Sequence, residues 1–341
     1  MPENVKLGDL NGCHDMRKAL LGQWMDDLPE EWSPKDIEQT LHQYGHIVGQ
    51  ENAVRAASII TYNHFEGRSS VSLFVGPSGC GKTEIWRAIQ REYGSSNIAI
   101  HDAATLTAEV WKGGTKISTI FRAIPSENRS RIILVLDEID KLLEPQYASG
   151  GSNVSDLMQN QLLRMCDHDT LFFGDGDGGK SIKVDCSQVS VVMLGAFSRL
   201  LEGKSKRSGS IGFGVALRHT CDYSNTEITE EDLIEYGMRA ELAGRINRIV
   251  SLEPLNADQI TRIGDEEIYR LMHKLQHPIE MEPSLMSALA QKAYNKRLGA
   301  RWLKSQINNM LDDLIYEDPL AEEYRIGYET SSSDIHYGAS L

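Results

Sequence analysis

Apolar residues along this chain occur in two textures. Short unbroken runs, "VSLFV" (Val71–Val75), "IILVL" (Ile132–Leu136) and "VSVVML" (Val189–Leu194), have the length of strands buried on both faces. Between them lie stretches with helical spacing, such as "ENAVRAASIITYNHF" (Glu51–Phe65) and "EIWRAI" (Glu84–Ile89), and "NIAIHDA" reads as a further strand. Such alternation predicts an α/β domain, a parallel sheet flanked by helices. After "RIVSLEPLN" (Arg248–Asn256) the strand-like runs largely stop, and residues 260 to about 315 read as helices, including the amphipathic "ARWLKSQINNMLDDLIY". A domain boundary is therefore expected near Leu252–Asn256. Ahead of the sheet, Ser33 followed by Pro34 marks a helix start, with Ile37 and Leu41 on one face. The expected division is an N-terminal helical arm (1–45), a large domain (46–252), a small helical domain (253–325) and a loose tail (326–341), the last because "YETSSSDIHYGASL" lacks any period.

Composition narrows the classes. The 341 residues carry 49 acidic and 35 basic side chains, a formal charge of -14, which repels nucleic acid and anionic lipid. Neither is expected as a partner. The five cysteines are widely spaced with no C-x-x-C pair, which argues against a disulfide framework or a zinc module and for a reducing, cytoplasmic setting. The pairs Cys13 with His14 and His219 with Cys221 are too isolated to suggest metal ligation. No apolar run has the length of a membrane span.

Two motifs carry the chemistry. "GPSGCGKT", comprising Gly76, Pro77, Ser78, Gly79, Cys80, Gly81, Lys82 and Thr83, matches G-x-x-x-x-G-K-[ST] and lies between a predicted strand and a helix that continues with Glu84. Glycines there let backbone N–H groups converge on phosphate, the helix start adds its positive end, Lys82 reaches the outer phosphates and Thr83 is suited to magnesium. Cys80 reads as a packing choice inside the loop. The second motif ends the run "IILVLDEID" with adjacent carboxylates. Asp137 is placed to hold magnesium, and Glu138 to orient and deprotonate the attacking water. Together the two motifs predict hydrolysis of ATP with Mg2+.

With these motifs in place, the chain from about His46 to Pro319 resembles the AAA+ ATPases and, among them, the ClpX-type unfoldases. "HIVGQENA" followed by "YNH" is similar to the family's segment beside the adenine, which implies that Ile47 and Val48 contact the base. "EEDLIEYGMRAELAGRINRIVSLEPL" resembles the stretch that carries the arginine finger, placing it at Arg245, and "LGARWLKSQI" resembles the second sensor, placing its arginine at Arg301. A finger is useful only to a neighbouring subunit, so the resemblance implies a homo-hexameric ring. "TAEVWKGGTK" occupies the place of the pore loop, with Trp111, Lys112 and Gly113 where the family has an aromatic, an aliphatic and a glycine. Lys112 departs from that pattern.

The stretch "RSGSIGFG" (Arg207–Gly214) sets Ile211, Gly212 and Phe213 among glycines, serines and basic residues, where neither helix nor strand is predicted. In ClpX-type proteins an Ile-Gly-Phe loop soon after "GAF" docks on a ClpP-type peptidase, and here "GAF" stands at Gly195–Phe197. The resemblance thus implies an unfoldase that feeds protein substrates to such a peptidase, with a remodelling ATPase that acts without proteolysis as the alternative. A DNA-directed loader disagrees with the charge. Other departures are the zinc-binding module, for which no counterpart is found, and the short acidic "FGDGDGGKSIKV" (Phe173–Val184) where the family has a basic loop; "MLGAF" lacks the polar residue that AAA+ proteins in general place there, a feature that ClpX-type proteins share. That segment does not fit a calcium loop, because the twelfth position from Asp175 is Cys186, and a glycine-rich hairpin is expected instead.

Overall fold

The computed structural model describes residues 32–43, 45–107, 115–145, 153–174, 181–208, 228–327 and 338–340. They fall into two units, each considered by itself. The first takes the residues up to Gly45 together with Glu51–Gly76 and Lys82–Leu252; the second takes His46–Gln50, Pro77–Gly81 and the residues from Glu253 onward.

In the first unit five strands form a wholly parallel sheet: β1 (Val71–Val75), β2 (Ile98–Asp102), β3 (Ile133–Asp137), β6 (Ser190–Gly195) and β7 (Arg248–Ser251), in the order β2-β3-β6-β1-β7. Every residue of β1 and β6 is buried, which is why these segments are mostly apolar, apart from Ser72 and Ser190, and show no alternation. Helix α2 (Glu51–Phe65) precedes β1; α3 (Lys82–Tyr93), α4 (Ile117–Ala123), α5 (Ile139–Leu143) and α6 (Val154–Cys166) intervene between later strands, and α7 (Ser198–Ser208), α8 (Glu230–Tyr236) and α9 (Ala240–Ala243) lie between β6 and β7. A core running from Val71 to Ala243 includes Phe121, Leu134, Met158 and Phe197. Outside the main sheet, β4 (Thr170–Phe173) and β5 (Ile182–Asp185) pair antiparallel, Phe173 opposite Ile182. Residues 175–180 between them lie outside the described residues.

The segment read as an arm is packed. Helix α1 (Pro34–Gln43) begins with Pro34 at its first position, and Ser33 donates both its N–H (2.7 Å) and its hydroxyl (2.6 Å) to Asp36. Ile37 and Leu41 are buried, and Trp32 sits within 5.3–6.1 Å, ring to ring, of Tyr62, Phe65 and Tyr93. The apolar face predicted for this helix covers part of the first unit.

The second unit is built on three helices, α10 (Ala257–Leu275), α11 (Pro283–Asn295) and α12 (Gly299–Glu317). Asn256 and Gln259 cap α10 reciprocally, at 2.8 and 2.9 Å. Leu303, Ile307, Leu311 and Leu314, spaced three or four residues apart on α12, enter a core with Leu271, Leu285 and Leu289. Strands are short but present: β8 (Ile279–Met281) runs parallel to β9 (Glu323–Ile326), and β10 (Gly338–Ser340) pairs antiparallel with β9. Of the segment read as a tail, Gly338–Ser340 is paired, while residues 328–337 and 341 lie outside the described residues. "GAS" has no apolar alternation, and what holds it is backbone pairing, which composition does not reveal.

Candidate functional site

Strand β1 leads into the glycine-rich turn. Gly76 is still held to the sheet, its N–H donating to the carbonyl of Gly195 at the end of β6 (3.3 Å). Gly79 and Gly81 have φ of 79° and 104°, left-handed values that favour glycine. Cys80 donates its N–H to the Pro77 carbonyl (3.4 Å) and is buried, in keeping with a packing role. Helix α3 starts at Lys82, so the N–H groups of its first turn have no partner within the helix. Lys82 is buried, and its Nζ donates to the Gly76 carbonyl at 2.5 Å. Glu84, named with the loop, turns its carboxylate to Arg91 along its own helix (3.0 Å).

The turn and the end of β3 are joined directly. Thr83 donates its hydroxyl to Oδ2 of Asp137 at 2.7 Å, while Oδ1 of Asp137 accepts the Glu138 N–H at 2.9 Å. A hydroxyl and a carboxylate at this spacing are the hard oxygen donors that suit magnesium. Glu138 is exposed and left-handed, at φ 56° and ψ 37°. That conformation is uncommon in a residue with a side chain, and it turns the chain sharply out of β3 into α5.

Sequence reasoning did not single out Asp140. It is buried, and its Oδ2 accepts the N–H of Phe197 at 3.3 Å. Phe197 is fully buried with φ of 47°, and its ring folds over Gly195, where a Cβ would run into it. The position lacking a polar side chain in "MLGAF" is thus filled by an aromatic ring, and Asp140 ties α5 to the end of β6. In the sequence Asp140 stands between Ile139 and Lys141, as a solvated charge would, so no local signal sets it apart.

Arg245 follows α9 in the first unit, its side chain 54% exposed, and its Nε pairs with Asp167, the residue that ends α6. Asp167 was likewise not foreseen. In the second unit Ile47 and Val48 are buried in a segment held by Gln50, which donates to the Glu253 carbonyl (2.7 Å), and by His46, which pairs with Glu266 (2.8 Å). Gly299 has a φ of 68°, and a Cβ placed on it would lie 3.4 Å from the Cα of Gly79, also in this unit. Arg301 is exposed in the first turn of α12, two residues beyond that approach.

Trp111, Lys112 and Gly113 lie outside the described residues, but the ends of their segment are pinned together. Thr107 donates its N–H to the Thr115 carbonyl (2.8 Å), and Thr115 donates to Thr105 (3.2 Å). Ile211, Gly212 and Phe213 also lie outside the described residues. Before them α7 continues through Ser208, so Arg207 and Ser208, expected in the loop, belong to a helix. The pairs Cys13 with His14 and His219 with Cys221 are outside the described residues as well. Among the described residues, no helix is long and apolar enough to cross a membrane.

Comparison with known proteins bears on the same segments. Residues 72–204 match the model of the AAA family, ATPases associated with various cellular activities, and residues 252–331 match the C-terminal D2-small domain of ClpB. Among similar proteins, the ATP-dependent Clp protease ATP-binding subunit ClpX 2 of Wolinella succinogenes is 28% identical over 322 residues, covering 85% of this chain and 79% of its own. The ATP-dependent Clp protease ATP-binding subunit ClpX of Treponema denticola is 26% identical over 350 residues, covering 90% and 83%.

Proposed function

From the premise that this chain is an AAA-family ATPase related to ClpX subunits over most of its length, we propose that it is an ATP-dependent protein unfoldase and translocase. It works as a cytoplasmic homo-hexamer that feeds a ClpP-type peptidase. The observation that carries the reading is the 2.7 Å bond between Thr83 and Asp137, which places a phosphate-loop hydroxyl on the carboxylate that precedes Glu138.

Residues 46–252 act as the ATPase domain and 253–325 as its helical lid. Bound ATP supplies the phosphoanhydride whose cleavage drives the cycle. The N–H groups of Gly76–Gly81 and the start of α3 receive its phosphates, with Lys82 neutralising their charge, and Ile47 and Val48 contact the base. Thr83 and Asp137 hold Mg2+. Glu138 takes a proton from the attacking water, and Arg245 of an adjacent protomer stabilises the charge that develops. Arg301 senses phosphate from the lid and converts nucleotide state into lid rotation. Trp111, with Lys112 and Gly113, grips an extended polypeptide in the pore, and Ile211, Gly212 and Phe213 dock on the peptidase. Two apolar anchors per loop are weak alone and effective when several loops engage together. The relatives' names, which describe ATP-binding subunits of ATP-dependent Clp proteases, support this partner.

The test is degradation of a folded, tagged reporter by the chain mixed with a ClpP-type peptidase. Glu138→Gln should bind ATP but hydrolyse it at least about 100-fold more slowly. Phe213→Ala should retain ATPase and lose degradation. Reporter unfolding without proteolysis would identify a remodelling ATPase instead. A protomer that stays monomeric under saturating nucleotide and leaves folded proteins intact would overturn the proposal.

A further inference from the structure

A guanidinium on a long stem must be held in place before it can act in another protomer's site, since the freedom of its side chain opposes any single pose. More than half of the Arg245 side chain is exposed, so the core does not hold it. The contact its side chain makes is ionic. Oδ1 of Asp167 takes the Nε edge of Arg245. Nε is the inner donor of the group, so this pairing leaves outside it the N–H groups of both terminal nitrogens, the fork that binds phosphate or carboxylate oxygens two at a time.

Asp167 is itself well placed to serve as a fixed point. It ends α6, and its N–H donates to the Leu163 carbonyl (2.8 Å). A second contact fastens α6 to the segment that leads to Arg245: buried Gln159 donates to the Gly237 carbonyl (3.0 Å) and accepts the Arg239 N–H (2.7 Å). The Asp167–Arg245 pair stands in a polar cleft of about 540 Å3, lined also by His168, Asp169 and Asn247. The other groups there are engaged elsewhere. Asp169 pairs with Arg164 (3.8 Å), His168 Nδ1 lies 3.0 Å from the Cys186 carbonyl, and Asn247 Oδ1 accepts the Val71 N–H (2.8 Å).

We propose that Asp167 is a positioning residue for Arg245, gripping its Nε so that the terminal nitrogens are presented, already oriented, to the phosphates bound by the adjacent protomer. This rests on the reading of Arg245 as a finger acting across protomers. Misplacement of a catalytic group by about 1 Å costs up to about 100-fold in rate. Asp167→Ala should therefore lower kcat for ATP hydrolysis about 10- to 100-fold with little change in KM, because the variant's own nucleotide site is intact. Asp167→Asn, which retains shape but not charge, should lower kcat less, and Asp167→Glu should recover part of the loss.

Mixing experiments separate this from a local structural effect. In rings formed with excess Glu138→Gln protomers, each Asp167→Ala protomer keeps a working hydrolytic site and receives an intact finger from its neighbour, so its turnover should recover. Unchanged kcat in Asp167→Ala, or a fall in kcat that the mixed rings do not restore, would overturn the inference. So would activity that rises at low protein concentration, which would make Asp167 a latch that competes for Arg245. Arg245→Ala tests the underlying reading separately: if that variant hydrolyses ATP normally the finger assignment fails, whereas its inactivity beside a normal Asp167→Ala sinks the positioning role alone.

Discussion

His64 gives the first unit a defined sensitivity to acid. It lies fully buried on α2, with Nδ1 2.9 Å from the Ser190 hydroxyl and Nε2 3.3 Å from the Arg131 carbonyl. The Ser190 oxygen also accepts the Ser70 N–H at 3.2 Å. These contacts assign a neutral ring whose Nε2–H donates to Arg131 and whose Nδ1 accepts from Ser190. Burial lowers the pKa from 6.5 to about 4, against the opposing pull of the Arg131 carbonyl. The unfolded chain therefore takes up a proton near its ordinary value while the folded chain resists until about pH 4. Stability from this group is complete above about pH 6.5 and falls with acidification, by about 2 kcal/mol between pH 7 and pH 5 and about 3 kcal/mol by pH 4. Urea unfolding followed by tryptophan fluorescence, to which the buried Trp32 and Trp86 contribute, reads it out. His64→Gln lowers stability at pH 7 but has no proton to gain, so the advantage of the parent chain should shrink by about 2 kcal/mol at pH 5. Stability curves that run parallel from pH 7 to pH 5 would refute the argument.

Two further perturbations follow from described contacts. Burial alone would raise the pKa of Glu267, but hydrogen bonds from Arg270 and Asn308 and the charge of Lys304 hold it down to about 2. Its contribution is therefore present above about pH 4.5 and lost as pH falls towards 2. Glu267→Gln should destabilise the second unit by about 1–3 kcal/mol at neutral pH, with a calorimetric gap that narrows at pH 3. Gly195→Ala would drive a methyl group into the Phe197 ring, at a cost of about 1–3 kcal/mol. The Gly195 carbonyl receives the Gly76 N–H, so ATPase activity should fall together with the melting temperature, and a variant that melts like the parent would contradict the packing described.

What the chain disclosed in advance was local. The runs that became β1, β3 and β6 are buried on both faces and so are mostly apolar, Ser72 and Ser190 being the buried polar exceptions, and the turn at Gly76–Gly81 declares itself because only glycine readily adopts the backbone angles of Gly79 and Gly81. What stayed hidden depends on residues distant in sequence. Asp167 reads as an ordinary helix end until Arg245 is brought beside it, and Asp140 reads as a solvated charge until the bend at Phe197 supplies an N–H. Ile37 and Leu41 announced a helix with an apolar face, but not that Trp32 and that face would cover the first unit. The strand at Gly338–Ser340 carries no pattern because its partners are backbone groups of β9.

The register of β2 on β3 bears on how work is done. Asp102 sits opposite Asp137, so the two strands finish level, about 4.8 Å apart. Just past Asp102 comes the Thr105–Thr107 stem, whose bonds to Thr115 close off the segment containing Trp111. Under the proposed function, a load taken up by that segment bears on a footing beside the strand that ends in Asp137, next to Glu138. On that proposal, the pull on a polypeptide and the breaking of a phosphate bond meet along one rim of the sheet, with almost no lever arm between them.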